Sequence, residues 1–207
     1  MVYYVTSMGR RPLHPTDLIL DAARELVLQR GARAATLQAI GEATGAPKGS
    51  LYHRFDSRDD LLAEVWMRAV KRSQRDFIDA MAGKQRMAAA IAGALAIYDF
   101  ADREPSDAQL LASVRYEDMI ENALTAAVRR SLSEINQPLL TTFRDLAAQL
   151  FGRASPEAID ASICAIVDLP MGVIRRSLLG KSRISASRRS QLEAAVRAAL
   201  IQAGARE

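Results

Sequence analysis

Lys48, Ser50, Tyr52, His53 and Arg54 form the densest group of chemistry-bearing side chains in this chain, gathered into about two helical turns with no acid among them. Each can donate a hydrogen bond to a phosphate oxygen or a base edge. Gly49, in their midst, leaves the backbone bare for close approach to a polyanion. Upstream, Thr36 opens a helix, so its hydroxyl and the positive end of that helix can both face a phosphate. Arg54, and Arg58 beyond it, fit either a contact or a solvated charge.

Catalysis needs a different inventory. The two histidines, His14 and His53, have no second ligand at metal spacing, and the single cysteine, Cys164, excludes an intrachain disulfide and a Cys-rich zinc site. Cys164 stands between Ile163 and Ala165-Ile166 and reads as core. No phosphate-binding glycine loop, nucleophile elbow or zinc-protease helix is written in the chain. Glu117, Asp118 and Glu121 share one helical stretch and read as a solvated face. The expectation is a protein that binds and does not catalyse, with neither metal nor organic cofactor.

To hold the donors outward, the chain must bury the other side of their helix. Leu51 and Phe55, four apart, supply that side and should pin it against Leu26 and Ile40. Thr36 is placed to cap a helix carrying Leu37, Ile40 and Ala43; Gly45 supplies the left-handed residue that ends it, and Pro47 is pre-set for the first position of the next. That is a helix-turn-helix. A preceding helix from about Asp17 to Arg30 presents Ile19, Ala22, Ala23, Leu26 and Val27 as one apolar stripe to pack it. After it, Ser57-x-x-Asp60 is a capping-box-like start for a helix through Val65, Trp66 and Ala69 toward Met81, ended by Gly83.

From Thr36 to Leu62 the chain resembles the N-terminal domain of the TetR family of bacterial transcriptional repressors. The likeness rests on the Thr-led helix, the Ala-Gly-type turn, Lys48-Gly49-Ser50-Leu51-Tyr52 with Phe55 behind it, and the run from Asp56 into the fourth helix. It extends back to Ile19, Ala22, Ala23 and Gly31. Gly41 stands where the family usually has Ala and should weaken its helix by up to ~1 kcal/mol, while Pro47 removes a side chain able to cap or touch phosphate. The resemblance implies that Thr36, Lys48, Gly49, Ser50, Tyr52, His53 and Arg54 bind double-stranded DNA at a palindromic operator. It further implies a homodimer released by a small hydrophobic or amphipathic effector. A helical ligand-sequestering or protein-interaction module without DNA function is the alternative.

A chain of 207 residues, 49% of them hydrophobic, can bury a sizeable core. Its apolar runs stop short of the ~20 residues a membrane span requires, and its start lacks a signal-peptide core, so a cytoplasmic location is expected. The net charge of +4 is modest, so any field that attracts nucleic acid must be local.

Beyond Lys84 the composition turns to Ala, Leu and Ile at helical spacing, predicting an all-α second domain over 84–204. It follows a basic arm over 1–15, the helix-turn-helix domain over 16–57 and a connecting helix over 57–82. Pro105 should close a fifth helix and Ser106-x-x-Gln109 open a sixth. Leu124 through Leu150 spells one long helix that Pro138 kinks or breaks and Gly152 ends; Ser155-Pro156 starts another running to Gly180, and a last one ends at Gly204. The resemblance places an effector pocket near Met87, Ile91, Tyr98, Val114, Phe143 and Met171, with Ala90, Gly93 and Ala94 leaving room; ordinary core is the other reading. Ile159, Ile163, Ile166 and Ile174 with Leu192, Val196 and Leu200 supply two stripes where the family builds a four-helix interface, which should bury well over ~1,000 Å². Arg175, Arg176, Lys181, Arg183, Arg188 and Arg189 read as a solvated basic loop. Arg10-Arg11 in the arm either orders on DNA or stays solvated.

Overall fold

The computed structural model describes residues 15–179 and 186–206 and is helical without strands among them. The arm residues Arg10, Arg11, Pro12 and His14, and Gly180, Lys181 and Arg183 of the basic run, lie outside the described residues. Helices α1 (Thr16–Arg30), α2 (Leu37–Thr44) and α3 (Lys48–Tyr52) precede a long α4 (Arg58–Met81). Its 24 residues make a rod of about 36 Å that both halves of the molecule share.

Two cores flank α4. The first gathers Ile19, Leu26, Ile40, Leu51, Phe55 and Leu61, and is completed by Leu110 and Met119 from well beyond residue 84. The second joins Phe77 of α4 to Met87 and Tyr98 of α5 (Arg86–Arg103), Phe143 of α8 (Gln137–Phe151) and helices near the C-terminus. At the α4–α5 crossing, a Cβ on Gly93 would come within 2.9 Å of the Phe77 ring and 3.0 Å of the Met81 sulfur. The space that glycine leaves is therefore filled by α4 rather than kept open.

Three prolines set boundaries, Pro138 at the break that its place in the run allowed. Pro105 is the first residue of α6 (Pro105–Ser113), with Glu104 before it, so Ser106 opens nothing. The expected long helix is two, α7 (Ala126–Glu134), capped by Thr125, and α8, with Pro138 in its first turn where no N–H is missed. Near Pro170, α9 (Pro156–Ile163) passes through a π turn over Cys164–Asp168 into α10 (Leu169–Leu179). There the Leu169 N–H reaches back five residues to the Cys164 carbonyl, and the widened turn accommodates a ring that has no N–H to give.

Cys164 is exposed, which corrects its reading as core. Its neighbours on the helix surface are Asp160 and Asp168, also exposed, and not the apolar residues beside it in the chain. The stripes expected to join two copies need the same kind of correction. Ile166, Ile174, Leu192, Val196 and Leu200 are buried within the chain's own core, and Ile159 and Ile163 pack half-buried against it. The apolar stripes mark the inward faces of α9, α10 and α11 (Ala186–Gln202). Nor are Arg188 and Arg189 a solvated loop: on α11 they donate to Ser177 Oγ at 2.6 Å and to both oxygens of Asp99. Glu117 and Asp118 sit in a 3-10 turn (Tyr116–Met119), with Glu121 beyond it, and all three are exposed.

Candidate nucleic-acid interface

Local chemistry shapes the helix-turn-helix. The Thr36 hydroxyl accepts the Ala39 N–H at 3.1 Å, satisfying a donor that α2 leaves free. Thr44 closes the other end, its hydroxyl donating to the Ile40 carbonyl at 2.7 Å, and Gly45 takes the left-handed conformation with φ 69°. Gly41 lets the chain fold back tightly: a Cβ there would lie 3.0 Å from the Ala46 carbonyl oxygen. Pro47 is extended, with ψ 141°, and so precedes α3 rather than starting it. Its carbonyl accepts the Ser50 N–H at 2.9 Å and α3 begins at Lys48.

The short helix is divided cleanly. Leu51 and Phe55 are buried in the first core with Leu26 and Ile40. On the other side Lys48, Gly49, Tyr52 and His53 are exposed, Tyr52 to 51%, while Ser50 and Arg54 are half-buried. The Lys48 ammonium stands 5.7 Å from the centre of the Tyr52 ring, a cation–π contact that keeps both on the outer face. Thr36 is exposed at the end of the neighbouring helix. A Cβ on Gly49 would meet nothing within 4 Å, so its bareness serves no packing need inside the chain.

Arg58 is elsewhere. Its guanidinium donates to the carbonyls of Ala32 at 2.5 Å and Ala35 at 3.2 Å and to Asp59 at 2.6 Å, clamping the segment between α1 and α2. It is therefore an internal clamp, neither a contact nor a solvated charge.

Asp60, which read as part of a capping box, and two further acids, Asp59 and Asp107, tie the two halves together. Ser57 caps α4 by accepting the Asp60 N–H at 2.9 Å, but the Asp60 carboxylate does not close the box. It accepts instead from the Thr125 N–H and hydroxyl at 3.0 and 3.2 Å. Asp59 accepts from the backbone of Glu121 and Asn122 and from the Asn122 amide. Burial pushes its pKa up, yet these donors and Arg58 outweigh that and hold it below the usual carboxylate range. Asp107 of α6, 1% exposed, binds Arg24 of α1 and Arg72 of α4. Burial opposes the Arg24 charge, but the hydrogen bond and field of Asp107 prevail and raise its pKa. The one signal in the sequence was register: Asp107 falls in line with Leu110 and Leu111, and Asp59 with Leu62, on stripes that face inward.

The residues expected to line an effector pocket divide between the two main cores. Met87, Ile91, Tyr98 and Phe143 are packed in the second core and Met171 against it, whereas Val114 packs on the first core. Ile91 alone of the six borders the solvent-open groove of about 710 Å³ between α4, α5 and α11.

Comparison with known proteins places this geometry. The family model described as bacterial regulatory proteins, tetR family, matches residues 19–65. The HTH-type transcriptional repressor KstR2 of Rhodococcus jostii is 34% identical over 142 residues, which is 67% of this chain and 61% of that protein. The chain thus spans about three fifths of the length of that relative. Among solved structures, a TetR family transcription regulator from Marinobacter aquaeolei superposes with a TM-score of 0.66 at 14% identity, covering 93% of this chain and 96% of the other. The transcriptional regulator FadR from Bacillus subtilis, solved in complex with stearoyl-CoA, gives 0.65 at 13% identity over 91% of this chain and 97% of that one. With a family match that spans the helix-turn-helix and a fold shared along nearly the whole length, residues 19–65 belong to the tetR family of bacterial regulatory proteins and the chain as a whole has the fold of solved tetR regulators.

Proposed function

We propose that this protein is a DNA-binding transcriptional repressor that leaves a palindromic operator when a small hydrophobic or amphipathic effector binds. The division of α3 carries the reading: Lys48, Gly49, Tyr52 and His53 face solvent on a helix that Leu51 and Phe55 anchor. With Thr36, Ser50 and Arg54 they form a donor-rich surface with the reach to track phosphates and base edges. The protein acts as a homodimer, joined through the outward faces of α9 to α11. There Cys164, Gly172, Ala194, Ala195 and Ala198 are exposed and small enough for helices of a second copy to approach closely. Two-fold symmetry then calls for inverted half-sites about one helical turn apart or a multiple of it. An effector releases DNA only so far as it prefers the DNA-incompetent conformation; a typical coupling of about 1–3 kcal/mol changes affinity ~5 to 150-fold.

Selection from random duplex DNA with the full chain tests this. The expected result is an inverted repeat whose affinity falls with salt. Lys48→Ala should weaken binding by roughly 1.5–3 kcal/mol and lower the salt slope by about one, and Tyr52→Phe should weaken it less, both with thermal unfolding unchanged. Failure to enrich any sequence, or two variants that bind like wild type, would overturn the reading in favour of a helical module without DNA function.

A further inference from the structure

We propose that the groove between α1, α4 and α7 is a binding site for an amphipathic anion, a small molecule with an apolar body and a phosphate or carboxylate head. The groove holds about 690 Å³, within the range of small-molecule sites. Leu20, Met67 and Val128 form an apolar wall. Arg68, Lys71, Arg72 and Arg75 line the same groove from α4, where their spacing puts them on one face, against only Asp17 and Glu64.

These cations are not equivalent. Arg68 is held by Asp17 at 2.9 Å and Asp21 at 2.5 Å, and Arg72 by Asp107 at 3.1 Å. Lys71 and Arg75, one turn apart and exposed, make no hydrogen bond or ion pair among the described residues. Arg68 adds a buried Nε without a hydrogen-bond partner. Burial raises the Glu64 carboxyl pKa above its ordinary value, against the pull of Lys71 and with the help of Asp60. A cation pair without an ion-pair partner of its own, beside an apolar wall, focuses its field on a negative head whose tail can leave water along that wall.

Occupancy has a route to the first core. Asp17 and Asp21 belong to α1, so a head that draws on Arg68 and Arg72 competes with the ion pairs that fasten α1 to α4. This consequence rests on the proposed regulatory function; the site itself does not.

Calorimetry on the full chain without DNA keeps the two apart. Decyl phosphate and decanoate, below their micelle concentrations, are the probes, with decanol and inorganic phosphate as controls. At least one anionic amphipath should bind, and which one does identifies the head. The doubly substituted Lys71→Gln, Arg75→Gln chain should lose about 10-fold in affinity, as should Ala127→Glu, which sets a carboxylate on an exposed position of the rim. All three substitutions are at exposed sites, and circular dichroism checks that the fold is kept. Absence of binding by both anions, decanol binding as tightly as they do, or affinities unchanged in both variants would overturn the assignment.

Discussion

The helix-turn-helix and the C-terminal bundle use the same device, apolar residues three and four apart, but only in the first does that device decide which side faces water. Across α3 and the turn after it the contrast is sharp, with Leu51 and Phe55 buried against exposed Lys48 and Tyr52, so the segment has one orientation that hides its apolar side. On α9 to α11 the contrast is less even: alanine, glycine and cysteine share the outside with charged residues such as Asp160, Asp168 and Arg175, while isoleucine and leucine populate the inside. There the choice between packing inward and pairing with a second copy was made by neighbouring helices. Strong local contrast makes a surface legible, and weak contrast leaves it to tertiary structure.

The largest effect that tests this comparison comes from the buried side of the first region. Phe55→Ala should cost roughly 3–5 kcal/mol by leaving a cavity in the first core, read as a lowered urea midpoint. A wild-type midpoint would mean that α3 is not anchored as described. Asp107→Ala crosses between the regions: the change is made on α6, but it takes from the Arg24 guanidinium of α1, whose side chain is only 12% exposed, its buried partner and leaves it Asp21 and Glu25 alone. We expect about 3 kcal/mol, toward the low end for a broken buried pair because Arg72 can turn to solvent. Hydrogen exchange should rise in α1 as well as α6; a rise confined to α6 would deny that Asp107 joins them.

Acid gives a smaller, graded test. The Asp59 carboxyl has its folded pKa depressed below that of the unfolded chain, so its contribution is fully present above the ordinary carboxylate range and is lost as pH falls through the folded value. Wild type should therefore lose stability on acidification more steeply than Asp59→Asn, whose acid limb should be flatter. Parallel limbs would show that the tie from α4 to the segment at Asn122 carries no such weight. The smallest effect is Gly41→Ala. Helix propensity favours the change by up to ~1 kcal/mol, and a Cβ 3.0 Å from the Ala46 carbonyl opposes it. The net should stay within about 1 kcal/mol of wild type by thermal melting, and a larger loss would show that the turn cannot give.

Much of the first region was legible residue by residue. Thr36, Gly45, Ser57, Gly152 and Ser155 cap or end helices where their chemistry predicts, because a cap is settled by a side chain and the few backbone groups beside it. The outward set on α3 followed from polar and apolar types at known angular spacing. Arg58 did not, since nothing in its neighbours indicates that the carbonyls of Ala32 and Ala35 will fold back to meet it.

What the sequence determined by itself is the all-helical class, the helix-turn-helix and the face that α3 offers, all matters of contacts within a few residues. Tertiary structure alone decided the rest. It turned the isoleucine and leucine stripes of α9 to α11 inward, left Cys164 in solvent, filled the space beside Gly93 with Phe77, and sent Asp59, Asp60 and Asp107 across to partners dozens of residues away. The physical reason is the reach of the forces. Capping and helical periodicity act within one or two turns, whereas desolvation and buried ion pairing depend on which distant surfaces meet.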